Sequence, residues 1–96
     1  MFIINVNFIK PIEEVDHHLE AHRDFLKEQC KAGKFIFTGR KVPRVGGMIL
    51  TNKISREEAE EIMSRDPFVV HQITEYELIE IQISLFDERF RPFIDS

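Results

Sequence analysis

Hydrophobic and polar positions alternate along this chain in two rhythms, and the points where the rhythm changes divide it into elements. Residues 2–9 (FIINVNFI) keep period two and put Phe2, Ile4, Val6 and Phe8 on one face, which predicts a strand. The opposite face carries Ile3, Asn5, Asn7 and Ile9; it is half apolar, unlike a fully wetted surface, so a cover for it is expected. After Pro11 the period lengthens. Val15, Leu19, His22, Leu26 and Cys30 recur every three or four residues, which predicts one long helix over 13–32 capped by Gly33. Residues 34–39 (KFIFTG) and 46–51 (GGMILT) predict two short strands, joined as a hairpin by a loop through Pro43. Ser55 and Glu58 form an S-x-x-E capping box that opens a second helix, with Ala59, Ile62 and Met63 on its buried face. That helix should end near Arg65, because Asp66 precedes Pro67 and a residue before proline avoids helical geometry. A last strand is predicted over 72–83 (QITEYELIEIQI).

The order βαββαβ predicts an α+β domain of ferredoxin-like topology, an antiparallel sheet with two helices on one face. Its core spans about 2–83, and a tail follows over 84–96. One sheet face is then bare. Ile3 and Ile9 lie on the first strand, and the last strand has apolar residues on both faces, Tyr76 and Leu78 against Ile79, Ile81 and Ile83. A second copy burying that face is the expected solution, which predicts a face-to-face homodimer. The tail, with Leu85, Phe86, Phe90, Phe93 and Ile94, is too apolar for a free end and is expected to cross onto the partner or cover the mouth of a pocket.

Composition narrows the classes of function. A chain of 96 residues supports a single modest core and leaves much of its surface open, so association is expected. Charge stands at −4, from 13 Lys and Arg against 17 Asp and Glu, so no net field draws the chain to nucleic acid. Arg40, Lys41 and Arg44 make only a short basic group in a loop. The apolar start is too short to span a bilayer and lacks the basic opening of a signal peptide, so no membrane association is expected. Cys30 is the single cysteine, which suits a reducing cytoplasm, and its position in the helical stripe favours inert packing.

Candidate chemistry centres on His22 and Asp66. A lone histidine on an apolar stripe is most often a core residue satisfied by backbone or water, and an Asp beside proline most often shapes a turn by accepting amide hydrogen bonds. Both predicted helices lie on the same sheet face, however, so the middle of one can approach the end of the other. A carboxylate beside an imidazole fixes its tautomer and suits it to acid or base work. His18 and His22 share a helical face, with His17, Asp16 and Glu20 nearby, but no third ligand falls in a recognisable motif, and no metal site is expected. His71 has no assigned role. Ser55 and Ser64 sit in no nucleophile elbow, Thr38 has no activating base nearby in sequence, and the four glycines punctuate strands and turns without the spacing of a phosphate loop.

The AHRDFL segment around His22, the GKFIFTG strand, the Gly46-Gly47 pair and the Asp66-Pro67-Phe68 turn together resemble the YciI-like, or YCII-related, proteins over about residues 2–83. The resemblance implies a dimeric α+β barrel of ferredoxin-like subunits, akin to small isomerases and cofactor-free monooxygenases. Its His and Asp pair falls on His22 and Asp66. Where many members have a Gly-Pro step this chain has Gly39-Arg40, which implies a more polar pocket floor and places Arg40 within reach of an anionic ligand.

The expected function is that of a small dimeric enzyme, a cofactor-independent isomerase, lyase or monooxygenase-like catalyst, with His22 as general acid or base and Asp66 orienting it. Phe25, Phe37 and Phe68 are expected to line the apolar wall, and Arg23 or Arg40 to hold a carboxylate of a small-molecule substrate. The alternative is a non-catalytic module of the same fold that binds a metabolite or a partner, with His22 and Asp66 as a structural hydrogen bond.

Overall fold

β1 (Phe2–Phe8) occupies the interior of a four-stranded antiparallel sheet of order β2-β3-β1-β4, formed with β2 (Phe35–Arg40), β3 (Gly46–Thr51) and β4 (Thr74–Glu80). The computed structural model describes residues 1–95, so Ser96 of the predicted tail lies outside the described residues. Period-two alternation works as expected on β1: Phe2, Ile4 and Val6 are buried, and their neighbours Ile3, Asn5 and Asn7 are half-buried on the other face. α1 (Ile12–His17), α2 (Leu19–Lys31), α3 (Arg56–Met63) and α4 (Pro67–Val70) follow in chain order. The core joins Ile4, Val6, Phe35 and Ile49 of the sheet to Phe25 of α2 and Ile62 and Met63 of α3, so the helices cover one sheet face. Burying each such side chain contributes about 1.5–3 kcal/mol. A smaller cluster of Val15, Phe68 and Ile73 joins α1 to α4 and the approach to β4. The molecule is therefore α+β with ferredoxin-like topology.

The long helix predicted over 13–32 is two helices. His18 has φ −108° and ψ 7°, and its N–H donates to Val15 O in a tight turn before His22 N–H resumes the helix on His18 O. The stripe also drifts from its predicted line: Cys30 is exposed, and Gln29 is buried instead. At about 100° per residue, eight steps carry Cys30 roughly 80° past His22, whereas seven bring Gln29 back to within about 20°. Gly33, with φ 76°, closes α2: its N–H meets Cys30 O, and Lys34 N–H meets Gln29 O, the paired bonds of a Schellman cap.

Only half of the predicted capping box forms. Ser55 Oγ accepts from Glu58 N–H at 3.0 Å, but the Glu58 carboxylate lies on Lys34 Nζ at 2.6 Å. The helix stops at Met63, short of Arg65, and residues 67–70, expected only as a turn, make the short α4. β4 is shorter than predicted at both ends. The apolar tail forms a 3-10 turn (Glu88–Phe90) and α5 (Arg91–Asp95). Lys53 Nζ donates to Ile94 O, which places the tail beyond the Thr51 end of β3. The pocket lies toward the Gly46 end, so within this chain the tail does not cover its mouth.

Two irregularities place side chains of the cavity and of the open sheet face. The β2–β3 register shifts between Phe35 and Phe37, so Phe35 pairs with Thr51 while Phe37 already pairs with Leu50. This bulge puts Phe37 on the open face, 51% exposed, and sends Thr38 and Arg40 to the helical side. Second, β3 and β1 approach closely at Gly46, where an added Cβ would stand 1.9 Å from Val6 O and 3.0 Å from Asn7 Cα. Among the described residues, no helix is long and apolar enough to cross a membrane.

Gly46→Ala is expected to lower stability by about 2 kcal/mol or more, because both obstructing groups are backbone. Gly39→Ala, with nothing within 4 Å of the new Cβ, should stay within about 1 kcal/mol of wild type. Thermal melts of the two variants side by side check the close approach.

Candidate functional site

Asp66-Pro67-Phe68 builds one wall of the site by a local route. Asp66 stands at the N-cap of α4, where its Oδ1 accepts from Phe68 N–H at 2.9 Å and its carbonyl accepts from Val69 and Val70 N–H. Pro67 fits the first helical position because it has no N–H to satisfy there. This cap turns the carboxylate inward, leaving Asp66 1% exposed.

His22 reaches that carboxylate from α2. Its Nδ1 lies 2.8 Å from Asp66 Oδ1, so a single oxygen serves both the ring and the cap. A carboxylate can only accept, so Nδ1 carries the proton and Nε2 is the nitrogen left to exchange one. The imidazole also lies flat on the Phe68 ring, with centroids 3.8 Å apart and planes 8° from parallel, while Phe8 meets Phe68 edge-on at 5.9 Å. The hydrogen bond sets the direction of the ring and the stack sets its plane. Asp66 Oδ2 is buried with no hydrogen-bond partner among the described residues, so the pair with His22 is the main polar contact of this buried group beyond its cap.

The pair lies beside a cavity of about 270 Å³ that His22 and Phe68 line. Its apolar wall comes from Val6, Phe8, Leu19, Leu26 and Met48, and its cationic side chains are Arg23 of α2, Arg40 at the end of β2 and Arg44 of the β2–β3 loop. Among the described residues no carboxylate lines it. Arg44 pairs with Asp16 at 2.7 Å, whereas Arg23 and Arg40 make no ion pair among the described residues. The close Gly46 and Gly47 backbones form part of the floor, where a larger side chain would have to displace Val6 O or Gly39 O.

The expected site residues are sorted by this geometry. His22, Asp66 and Phe68 come together, and Arg23 and Arg40 line the same cavity. Phe25 and Phe37 do not. Phe25 turns into the sheet core, edge-on to Phe35, because it lies about 60° from His22 around α2 toward the strands. Phe37 is carried to the open face by the bulge. Arg44 was missed as a wall residue; its signal was the short basic group with Arg40 and Lys41, which by itself indicated charge without direction.

The remaining histidines form a separate group. His18 stacks on His71 with centroids 4.1 Å apart, and His17 meets His18 edge-on at 5.0 Å. Desolvation, followed by the neighbouring His71 and His17, lowers the His18 pKa from its ordinary value, against an opposing contribution from Glu14. His18 thus stacks on His71, whereas His22 meets Asp66 and Phe68. No group of three or more His, Cys, Asp or Glu disposed to hold a metal ion occurs among the described residues.

Two comparisons with known proteins bear on this arrangement. The family model of the YCII-related domain matches residues 1–82, a span that contains every residue of the site. No curated protein matches the chain.

With Asp66 as acceptor, nitrogen-resolved NMR of the neutral His22 ring should show the Nδ1–H tautomer, and Asp66→Ala should release the ring to the Nε2–H form common in water. The same substitution removes the α4 cap and a charge-assisted hydrogen bond, so denaturant melts should show a loss of about 2–4 kcal/mol.

Proposed function

The chain belongs to the YCII-related domain family, and on that premise we propose that it is a small enzyme in which His22 acts as general base and acid on a small organic anion. The observation that carries this reading is the 2.8 Å contact between His22 Nδ1 and the buried Asp66 carboxylate, made beside an apolar cavity. With Nδ1–H held by Asp66, the Nε2 lone pair takes a proton from the substrate. The ring then carries positive charge, and the carboxylate at Nδ1 faces it without itself becoming protonated. Nε2–H can return the proton to a second atom of the same molecule. That cycle supports an isomerisation, or an elimination in which a leaving group departs as the proton is removed, and it needs no redox partner. Arg23 and Arg40 hold the carboxylate of the substrate, and the Phe68 ring keeps the imidazole in plane while its apolar neighbours exclude water.

The reading includes a homodimer. On the sheet face away from the helices, Phe37, Leu50, Ile3 and Ile79 fall in register across all four strands; Phe37 and Ile79 at its two ends are 51% and 41% exposed, while Leu50 between them is already buried. An apolar row crossing a whole sheet suits a self-complementary interface about a twofold axis. A cytoplasmic setting fits the exposed, unpaired Cys30.

One observation favours a second reading, a binding module without catalysis. Asp66 Oδ1 already has a structural task as the α4 cap, and the bond to His22 ties α2 to α4, a contribution of about 1.5–3 kcal/mol.

Hydrogen–deuterium exchange at carbon, followed by NMR over a panel of small carboxylic acids, separates the two. If His22 is the base, wild type labels at least one acid, and His22→Gln, whose amide can still donate to Asp66, slows labelling by about 10²–10⁴-fold. Asp66→Asn keeps an oxygen for both donors but loses the charge, and should slow labelling while the fold holds. A protein that binds these acids, labels none and is destabilised by either substitution is the binding module. For the interface, Phe37→Asp is expected to convert a particle of twice the chain mass to a monomer in sedimentation.

A further inference from the structure

Among the described residues the cavity presents three guanidinium groups and no carboxylate, and one of the three is not committed to the cavity alone. Arg44 lines it, yet its Nη2 lies 2.7 Å from Asp16 Oδ1 on α1. We propose that Arg44 is an exchangeable arm: it leaves Asp16 to take the second anionic group of a small organic dianion whose first group is held by Arg23 and Arg40. The inference rests on the reading of the cavity as an anion site and specifies its substrate class.

Three features support the exchange. The first is its low cost. Arg44 and Asp16 are 27% and 54% exposed, and an ion pair so open to water is weak, so a ligand carboxylate with a drier environment competes well for the same guanidinium. The second is mechanical. The loop that carries Arg44 is pinned through its backbone, by Lys41 N–H on Gly46 O, Val45 N–H on Pro43 O and Phe8 N–H on Val45 O. The side chain can therefore change partner while the loop stays in place. The third is electrostatic. A monoanion beside Arg23 and Arg40 leaves Arg44 with Asp16, whereas a second negative group brings a partner of equal charge into the cavity itself. Arginine suits this role because its fork can leave one carboxylate for another and keep paired geometry with each. The cavity size, about 270 Å³, and its apolar wall limit the ligand to a short apolar body between the two charged ends.

The test compares matched anions at constant ionic strength, using the full chain. The probes are straight-chain monocarboxylates and α,ω-dicarboxylates of three to six carbons, together with 3-phosphonopropionate, titrated by calorimetry. Arg44 Nε–H is followed by NMR in parallel. The expected result is that at least one dianion binds about tenfold more tightly than its monocarboxylate, and that Arg44→Ala reduces this ratio to about one. Asp16→Asn, which removes the competitor, should raise dianion affinity several-fold and leave the monoanion nearly unchanged. The Arg44 Nε–H signal should move with the dianion only. A larger gain for 3-phosphonopropionate than for any dicarboxylate supports the exchange and identifies a phosphoryl group as the second charge. If monoanions bind and are lost in Arg40→Ala, but no dianion gains and the Arg44 signal stays still, the exchange is overturned while the anion cavity stands. If neither class binds wild type, the anion cavity falls, and the exchange with it.

Discussion

A single carboxylate oxygen sets both the path of the chain and the orientation of the imidazole. Asp66 Oδ1 accepts from Phe68 N–H, which starts α4, and from His22 Nδ1, which belongs to an element 44 residues away in sequence. The cap turns the carboxylate away from water, and Pro67 makes that turn favourable because it requires no donor at the first helical position. Phe68 is delivered by the same cap and lies under the imidazole at 3.8 Å. Backbone, ring direction and ring plane thus depend on one hydrogen-bond acceptor. The bland account of Asp66 as a turn-shaping residue and the sharp account of it as a histidine partner describe the same atom.

Around that point the fold separates charge from apolar surface. The helical side of the sheet supplies the aliphatic wall through Val6 and Met48 and the cations through Arg40 and Arg44, while α2 supplies His22 and Arg23. The net charge of the chain is negative, yet among the described residues the charged side chains that line the cavity beside His22 are all arginines, so the local field opposes the global one. A protein can therefore repel polyanions as a whole and still hold a small anion at one place.

How far the sequence foretold this depended on the range of the interaction concerned. The topology was legible, because alternation on residues 2–8 and the Ser55 start of α3 are local signals, and each acts as its pattern implies. The His22 and Asp66 contact was legible for a related reason: one residue lay on an apolar stripe, the other stood before proline, and the topology brings those two places together. The break at His18 was not, since no Gly or Pro marks it and the turn is a backbone bond to Val15 O supported by the stack on His71. The fates of Phe25 and Phe37 were not legible either. Phe25 required the rotation of α2 to within a fraction of a turn, and Phe37 required the pairing register of β2, which is a property of two strands together.

The bulge near Ile36 acts on more than Phe37. A strand behaves as a binary code in which every second position belongs to the same side, and one surplus residue inverts the code for all that follows. Here the inversion places Arg40 on the inner surface and Phe37 on the outer one in a single step. Unbroken alternation through the same residues would exchange them, emptying the inside of a cation and hiding an aromatic ring from the outside. Two features that look independent, a cation on the inner surface and an aromatic ring on the outer one, are therefore written by the same register shift.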